Sequence, residues 1–342
     1  MSVARDVRAA LSLTAYLAAA LLVSAIVVAA AGRDPALALR SLADGAFGSR
    51  YGLLNVGTKA CPLLLTGLGV LVAFRCGFWN IGAEGQLVCG AIVAGWLGTR
   101  SGLPALVHVP LVLALAFAAG AAWCLLAAWL RVKRGALEVI STIMLNFVAL
   151  YLLSWLVHGP LMQASRAQPI SDAIAASAVL PRLFGRGYTL HAGILLALAA
   201  VALGWLVLAR TEWGFRVRMV GGNPLACAWA GIPVQRTLLG AAVVSGGLAG
   251  LAGAVEVMGV LGRLFDKISP GWGYTAIAVA LLARLQPLAL VPAALFFGAL
   301  DAGSSRMQQE ADVSHVLVLV IQAVVILASV ASGAIRRDRE VA

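Results

Sequence analysis

Long apolar runs, broken by short clusters of glycine, proline and charge, recur along the whole chain. Ten runs fit membrane-spanning helices, at about 11–31, 52–75, 80–98, 104–130, 138–158, 189–209, 236–261, 272–285, 287–303 and 314–333. The eighth and ninth are short. The pattern predicts an all-α, polytopic membrane protein of about ten transmembrane helices, built as one domain over residues 1–342. Spans two to five and seven to ten form groups offset by an odd number of crossings, which predicts an inverted repeat.

One interruption stands apart. Gly77 to Gln86 read GFWNIGAEGQ, three glycines with Asn80, Glu84 and Gln86, between runs that each reach across a bilayer. Such groups are costly in hydrocarbon unless they face protein or a water-filled path. The stretch marks either part of a transport path or a packed polar junction, at the inner ends of spans two and three. An inner-side arginine such as Arg75 is the expected partner of Glu84. A second glycine-rich stretch with aromatic residues, PGWGYTAIAVA from Pro270, lies early in the second group.

Composition narrows the class. With 62% hydrophobic and 11% charged residues, the chain carries more apolar surface than one water-soluble core could hide. The net charge of +11 is scattered over the ends of apolar runs and forms no stripe suited to nucleic acid. Placing the N-terminus inside puts Arg5, Arg8, Arg75, Arg131, Lys133, Arg134, Arg210, Arg216, Arg218, Arg236, Arg284, Arg336, Arg337 and Arg339 in the cytoplasm, more than half of the 25 basic residues. Both termini are then cytoplasmic. The first run is long for a cleaved signal and reads as a helix that is kept. Five scattered cysteines, and four histidines without ligand spacing, predict no metal site and no cofactor.

Polar residues at membrane depth are the candidate functional set. In span five, Glu138, Ser141, Thr142 and Asn146 share a helical face that either lines a path or gate or bonds a neighbouring helix. In span two, Lys59 shares a face with Asn55, Pro62 and Thr66; its depth favours a pair with Glu256 or Asp301, with snorkelling as the alternative. The loop from Arg210 to Arg236 is long enough to hold structure. Within it Asn223 suits a cap, Pro224 the first helical position and Gly231 a left-handed end, so a short helix is expected. Its apolar Leu225 and Trp229 call for a protein groove or a membrane surface.

Several segments together resemble a known family: GLGVLVAFRCGFWNIGAEGQL from Gly67, GALEVISTIMLNFVALYL from Gly135, WGFRVRMVGGNPLACAWAGIPVQR from Trp213, SGGLAGLAGAVEVMG from Ser245 and GYTAIAVALLARLQPLALVPAALFFGAL from Gly273. They are similar to the permease subunits of bacterial ABC importers of the branched-chain amino acid and simple-sugar family, closest to the nucleoside (guanosine-type) subgroup. The resemblance implies a multi-pass inner-membrane permease that pairs with a second permease, the same or different. It also implies a separate ATPase, which would hold ATP and magnesium, and an extracytoplasmic binding lipoprotein that could meet the loop from Gly159 to Tyr188. The family's coupling helix maps onto Asn223 to Gly231. Two departures are Arg284–Leu285, where a glycine-containing turn is expected, and Trp79 in place of a smaller apolar residue.

The expected function is ATP-driven import of a small polar solute by alternating access, with nucleosides favoured and a ribose-like sugar as the alternative. This chain is not expected to be an enzyme, because it lacks a phosphate-binding loop and any catalytic triad. An ion-coupled secondary transporter using Glu84, Glu138 and Lys59 is the competing class.

Overall fold

The computed structural model describes residues 22–313 apart from 24, 101 and 186, together with 319, 320, 323 and 324. Most of the first and last predicted spans lies outside the described residues. In chain order the helices are α1 (Pro35–Phe47), α2 (Arg50–Arg75), α3 (Ala83–Gly98), α4 (Ala105–Arg134), α5 (Glu138–His158), α6 (Gly193–Arg210), α7 (Glu212–Gly222), α8 (Pro224–Trp229), α9 (Val234–Glu256), α10 (Trp272–Leu282) and α11 (Leu290–Ala311). A π turn, Val257–Leu261, extends α9. Among the described residues, five helices are long and apolar enough to cross a bilayer: α2, α4, α5, α6 and α9 with its π turn. The protein is therefore a polytopic, helical membrane protein.

By contact the chain falls into two compact units, one holding the residues up to Lys59 with those from Leu295 on, the other Ala60–Ala294. In the first, α1 was not anticipated in the sequence. Asp34 caps it, accepting from the N–H groups of Ala36 and Leu37, and Pro35 follows at the first helical position. Helix α1 lies close against α11, because a Cβ on Gly303 would stand 2.2 Å from the carbonyl oxygen of Leu42. Val28, Ala38, Met307, Ala311 and Val313 close an apolar cluster beside that contact. Lys59 Nζ lies 3.2 Å from Asp301 Oδ2, which selects one of the two pairings expected for that lysine.

The second unit is organised around α9. Its motif SGGLAGLAGAVE places Gly246, Gly250 and Gly253 along the helix, and each removes a side chain where another backbone passes. A Cβ on Gly246 would stand 2.3 Å from the oxygen of Gly120 on α4, and one on Gly253 would stand 2.0 Å from that of Leu87 on α3. Lipid tails are as apolar as leucine, so helices in a membrane gain by close backbone packing and not by hiding apolar surface from water. The apolar stretch of α9 is 72% buried, whereas those of α5 and α6 are only 22% buried and so leave most of their apolar surface uncovered by the rest of the chain.

The connection after α5 is ordered by backbone pairing. Ala175 N–H donates to Gly98 O (2.7 Å), Leu180 N–H to Met258 O (2.9 Å) and Ser171 N–H to Leu264 O (2.9 Å), tying this segment to the ends of α3 and α9. His108 and His191 are fully buried at this end. The His108 ring lies 2.9 Å from Ser177 Oγ and 3.0 Å from Leu97 O, which satisfies both nitrogens.

Candidate functional site at two interrupted helices

Helix α2 ends at Arg75, and Gly77, with φ of +75°, turns the chain back. Arg131 fixes this turn: its Nη1 donates to Gly77 O at 2.8 Å and to Glu138 Oε1 at 2.7 Å. Arg131, in the last turn of α4, thus pairs with Glu138 in the first turn of α5. From Phe78 to Gly82 the chain is not helical. It runs back among the helices, so that Asn80 Nδ2 donates to Ser245 Oγ on α9 at 2.9 Å. At about 1.5 Å per residue, Ser245 lies about 16 Å along α9, half the depth of a hydrocarbon core of about 30 Å. GFWNIGAEGQ thus begins at the level of Arg131 but carries its polar residues to mid-depth, deeper than the junction expected from the sequence. Helix α3 begins there, and its 16 residues reach only the opposite side.

A helix that starts inside a membrane exposes N–H groups that lipid cannot satisfy. Here side chains serve them. Asn80 Oδ1 accepts from Gly82 N at 3.0 Å, and Asn80 and Gln86 exchange two side-chain bonds at 2.9 and 2.8 Å. Asn146 Oδ1 accepts from Gly85 N at 2.8 Å while its Nδ2 donates to Ile81 O at 3.0 Å. Thr142 Oγ1 accepts from Ile81 N at 3.3 Å. Asn80, Gln86, Thr142 and Asn146 are all buried. Ser141, grouped with this face in the sequence, instead donates to the Leu137 carbonyl of its own helix and stays apart from the network.

A second helix begins at the same place. The segment after α9 turns through Ser269, whose Oγ accepts from Gly271 N (3.1 Å) and Trp272 N (2.9 Å), and Gly271 at φ +102° opens α10. Gly273 N then donates to Glu84 Oε2 at 2.7 Å. The partner of Glu84 is therefore a helix N-terminus and not the expected arginine. Its carboxylate sits in the first turn of α3 and at the start of α10, so both helix dipoles favour its charge. The approach requires glycine, since a Cβ at 273 would stand 2.2 Å from Glu84 N. The helices leave this point in opposite directions: α3 ends against Ala175, while α10 leads to Gln286, which lines a cavity with Arg75. At 11 residues α10 is about 16 Å long, half a crossing.

Two large side chains at the edge of this junction are exposed. Tyr274, 43% exposed, accepts from Asn146 Nδ2 at 3.2 Å, which leaves its hydroxyl proton free to donate outward. Trp79, 50% exposed, rests against the Phe74 ring at 4.7 Å. Ser245, Ser269, Gly273, Tyr274 and Arg131 escaped the sequence-based selection, although Ser245 and PGWGYTAIAVA lie in segments already singled out. Glu256 is buried in α9.

The remaining predicted element follows its punctuation. Asn223 Oδ1 accepts from Ala226 N at 3.0 Å, Pro224 opens α8, and Gly231 at φ +76° ends it. Cys227 is buried, whereas Leu225 and Trp229 are 74% and 91% exposed. A groove of about 600 Å³ adjoins the helix, lined by Pro224, Leu225, Ala228, Ile232 and Arg236 among others.

Comparison with known proteins shows the family. Residues 52–330 match the family described as the branched-chain amino acid transport system / permease component. The chain is 37% identical to the glucose ABC transporter permease protein TsgB13 of Haloferax volcanii, over 94% of this chain and 87% of that one. It is 35% identical to the guanosine ABC transporter permease protein NupP of Bacillus subtilis, over 91% and 90%. The nucleoside ABC transporter permease protein NupB of Lactococcus lactis is 30% identical over 90% and 87%. No solved structure matches the chain. The chain belongs to this permease family: it is a multi-pass membrane subunit of an ABC importer, without a catalytic centre or cofactor of its own.

Proposed function

We propose that this permease carries nucleosides across the inner membrane by alternating access, with the junction of α3 and α10 as its gate. The observation that carries this reading is the pairing of a buried, hydrogen-bonded network with two exposed aromatic side chains at its edge, Trp79 and Tyr274. Asn80, Glu84, Gln86, Thr142 and Asn146 spend their hydrogen bonds on backbone, on one another and on the Ser245 and Tyr274 hydroxyls, so they frame the gate. Trp79 and Tyr274 supply a π face for a base and a donor for a hydroxyl or carbonyl of the solute. Guanosine and nucleoside permeases at 35% and 30% identity support the same solute class.

A sugar is the second reading, favoured by the 37% identity to a glucose permease. Titration calorimetry on the partner binding protein decides between them. Binding of guanosine with no response to glucose or ribose supports the nucleoside reading, and the reverse pattern overturns it.

An ABC permease works with an ATPase and a substrate-binding protein. We assign α8, through Asn223, Pro224, Leu225, Trp229 and Gly231, as the element on which the ATPase acts; the support is a capped helix with two large apolar side chains exposed beside a groove. A second permease would complete the path. The interrupted helices support the inverted repeat, since each stands second in its group, begins at mid-depth, and runs opposite to the other. With about ten spans, both termini lie in the cytoplasm.

A further inference from the structure

At the end of the second unit where α2, α6 and α10 terminate lies a cavity of about 310 Å³. It is lined by Arg75, Arg218, Trp205, Leu208, Gln286 and Pro287 among others, with no acidic residue. Arg75 at the end of α2 and Arg218 on α7 both line it. Neither forms an ion pair among the described residues, whereas the nearby Arg216 is held by Glu212. The approach is built in: a Cβ on Gly221 would stand 2.0 Å from Arg75 O, so glycine lets α7 press onto the end of α2. Two half-buried guanidinium groups brought together without a carboxylate form a site for an anion.

A second feature continues from it. An apolar groove of about 250 Å³ shares Leu208 with the cavity and is lined by Leu68, Val72, Ala200, Leu203, Gly204 and Trp213 among others. On α2, Leu68, Val72 and Arg75 follow one another at helical spacing, so a single seam passes from apolar to cationic at the helix end. Helix α6, which forms the other wall, is an apolar helix of spanning length whose surface is largely uncovered by the rest of the chain. A soluble anion would use the arginines but not the groove, and an acidic protein partner would not reach along it.

We propose that this seam binds one anionic phospholipid, with its phosphate on Arg75 and Arg218 and an acyl chain along the groove between α2 and α6. Basic pockets between membrane helices hold anionic headgroups in this way. The proposed orientation places the lipid in the cytoplasmic leaflet. The site lies apart from the α3–α10 junction, so its failure would leave the solute reading untouched.

The test uses the purified complete transporter, with thermal unfolding and native mass spectrometry in the presence of phosphatidylglycerol, phosphatidylcholine or inorganic phosphate. Phosphatidylglycerol is expected to raise the unfolding temperature by several degrees more than phosphatidylcholine and to give a retained adduct. Arg75→Gln and Arg218→Gln should each at least halve that difference, and Arg216→Gln should leave it intact. Ala200→Phe, which fills the groove, should remove the lipid adduct while leaving both arginines in place. Equal effects of the two lipids, equal losses with Arg216→Gln, or full reproduction of the shift by inorganic phosphate would each overturn the proposal. So would displacement of the lipid by the bound ATPase.

Discussion

The Glu84 carboxylate accepts the backbone N–H of Gly273 at 2.7 Å, and that bond joins the beginnings of two helices that start within the membrane. Removing the carboxylate strands a buried donor and leaves two positive helix ends facing each other. Glu84→Ala should destabilise the permease by about 2 kcal/mol, the scale of a charged hydrogen bond lost in a buried site. Glu84→Gln, which keeps an acceptor, should restore most of it. Thermal unfolding in detergent separates the two; equal losses would show that the acceptor at this position does not matter.

Close approach makes a sharper prediction at the glycines. A Cβ at Gly253 would stand 2.0 Å from Leu87 O, and one at Gly273 would stand 2.2 Å from Glu84 N, so the obstructing atoms are backbone and cannot rotate away. Gly253→Val and Gly273→Val should abolish assembly or transport. The same change at Gly222, where nothing lies within 4 Å, should be tolerated. Size-exclusion profiles of the three variants check this.

Arg284 and Leu285 occupy the left-handed region at φ of 51° and 55°. The departure from the expected glycine turn was visible in the sequence, and the structure keeps the turn while two side-chain-bearing residues bear its strain. Left-handed backbone costs roughly 1–2 kcal/mol per ordinary residue, partly offset in the comparison by the greater chain entropy of unfolded glycine. Arg284 is exposed, so Arg284→Gly should raise stability by about 1 kcal/mol without altering transport. A lowered unfolding temperature would contradict this.

In the first unit, Lys59 and Asp301 pair at 3.2 Å with side chains 34% and 22% exposed. Lys59→Met should destabilise by about 2 kcal/mol because the carboxylate is left without its cation. Adding Asp301→Asn should recover part of the loss. A double-mutant cycle in thermal unfolding measures the coupling, and strict additivity would mean the pair contributes nothing.

Much of this architecture was legible because membrane spans announce themselves by length and helix ends by their caps. Asn223, Pro224 and Gly231 marked α8 to within a residue or two. The depth of GFWNIGAEGQ was not legible. Hydropathy places a polar interruption at the nearest surface, whereas Asn80 reaches Ser245, 165 residues away, and only the folded chain brings the two together. The partner of Glu84 was hidden for a similar reason: charge pattern suggests an arginine, but a backbone N–H has no sequence signature. Helix α1 was passed over because it is too short and too mixed to read as a span.

The most direct test of the central claim is ATP-driven uptake of radiolabelled guanosine into proteoliposomes holding the complete transporter, with wild-type permease, Trp79→Ala and Tyr274→Phe. Uptake should require ATP and the binding protein, persist when the proton gradient is collapsed, and fall about tenfold or more with Trp79→Ala, the loss of one stacking contact and its packing. Tyr274→Phe should weaken uptake while leaving unfolding temperature near wild type. Uptake of glucose without guanosine, or uptake that needs the proton gradient and no ATP, would contradict the claim.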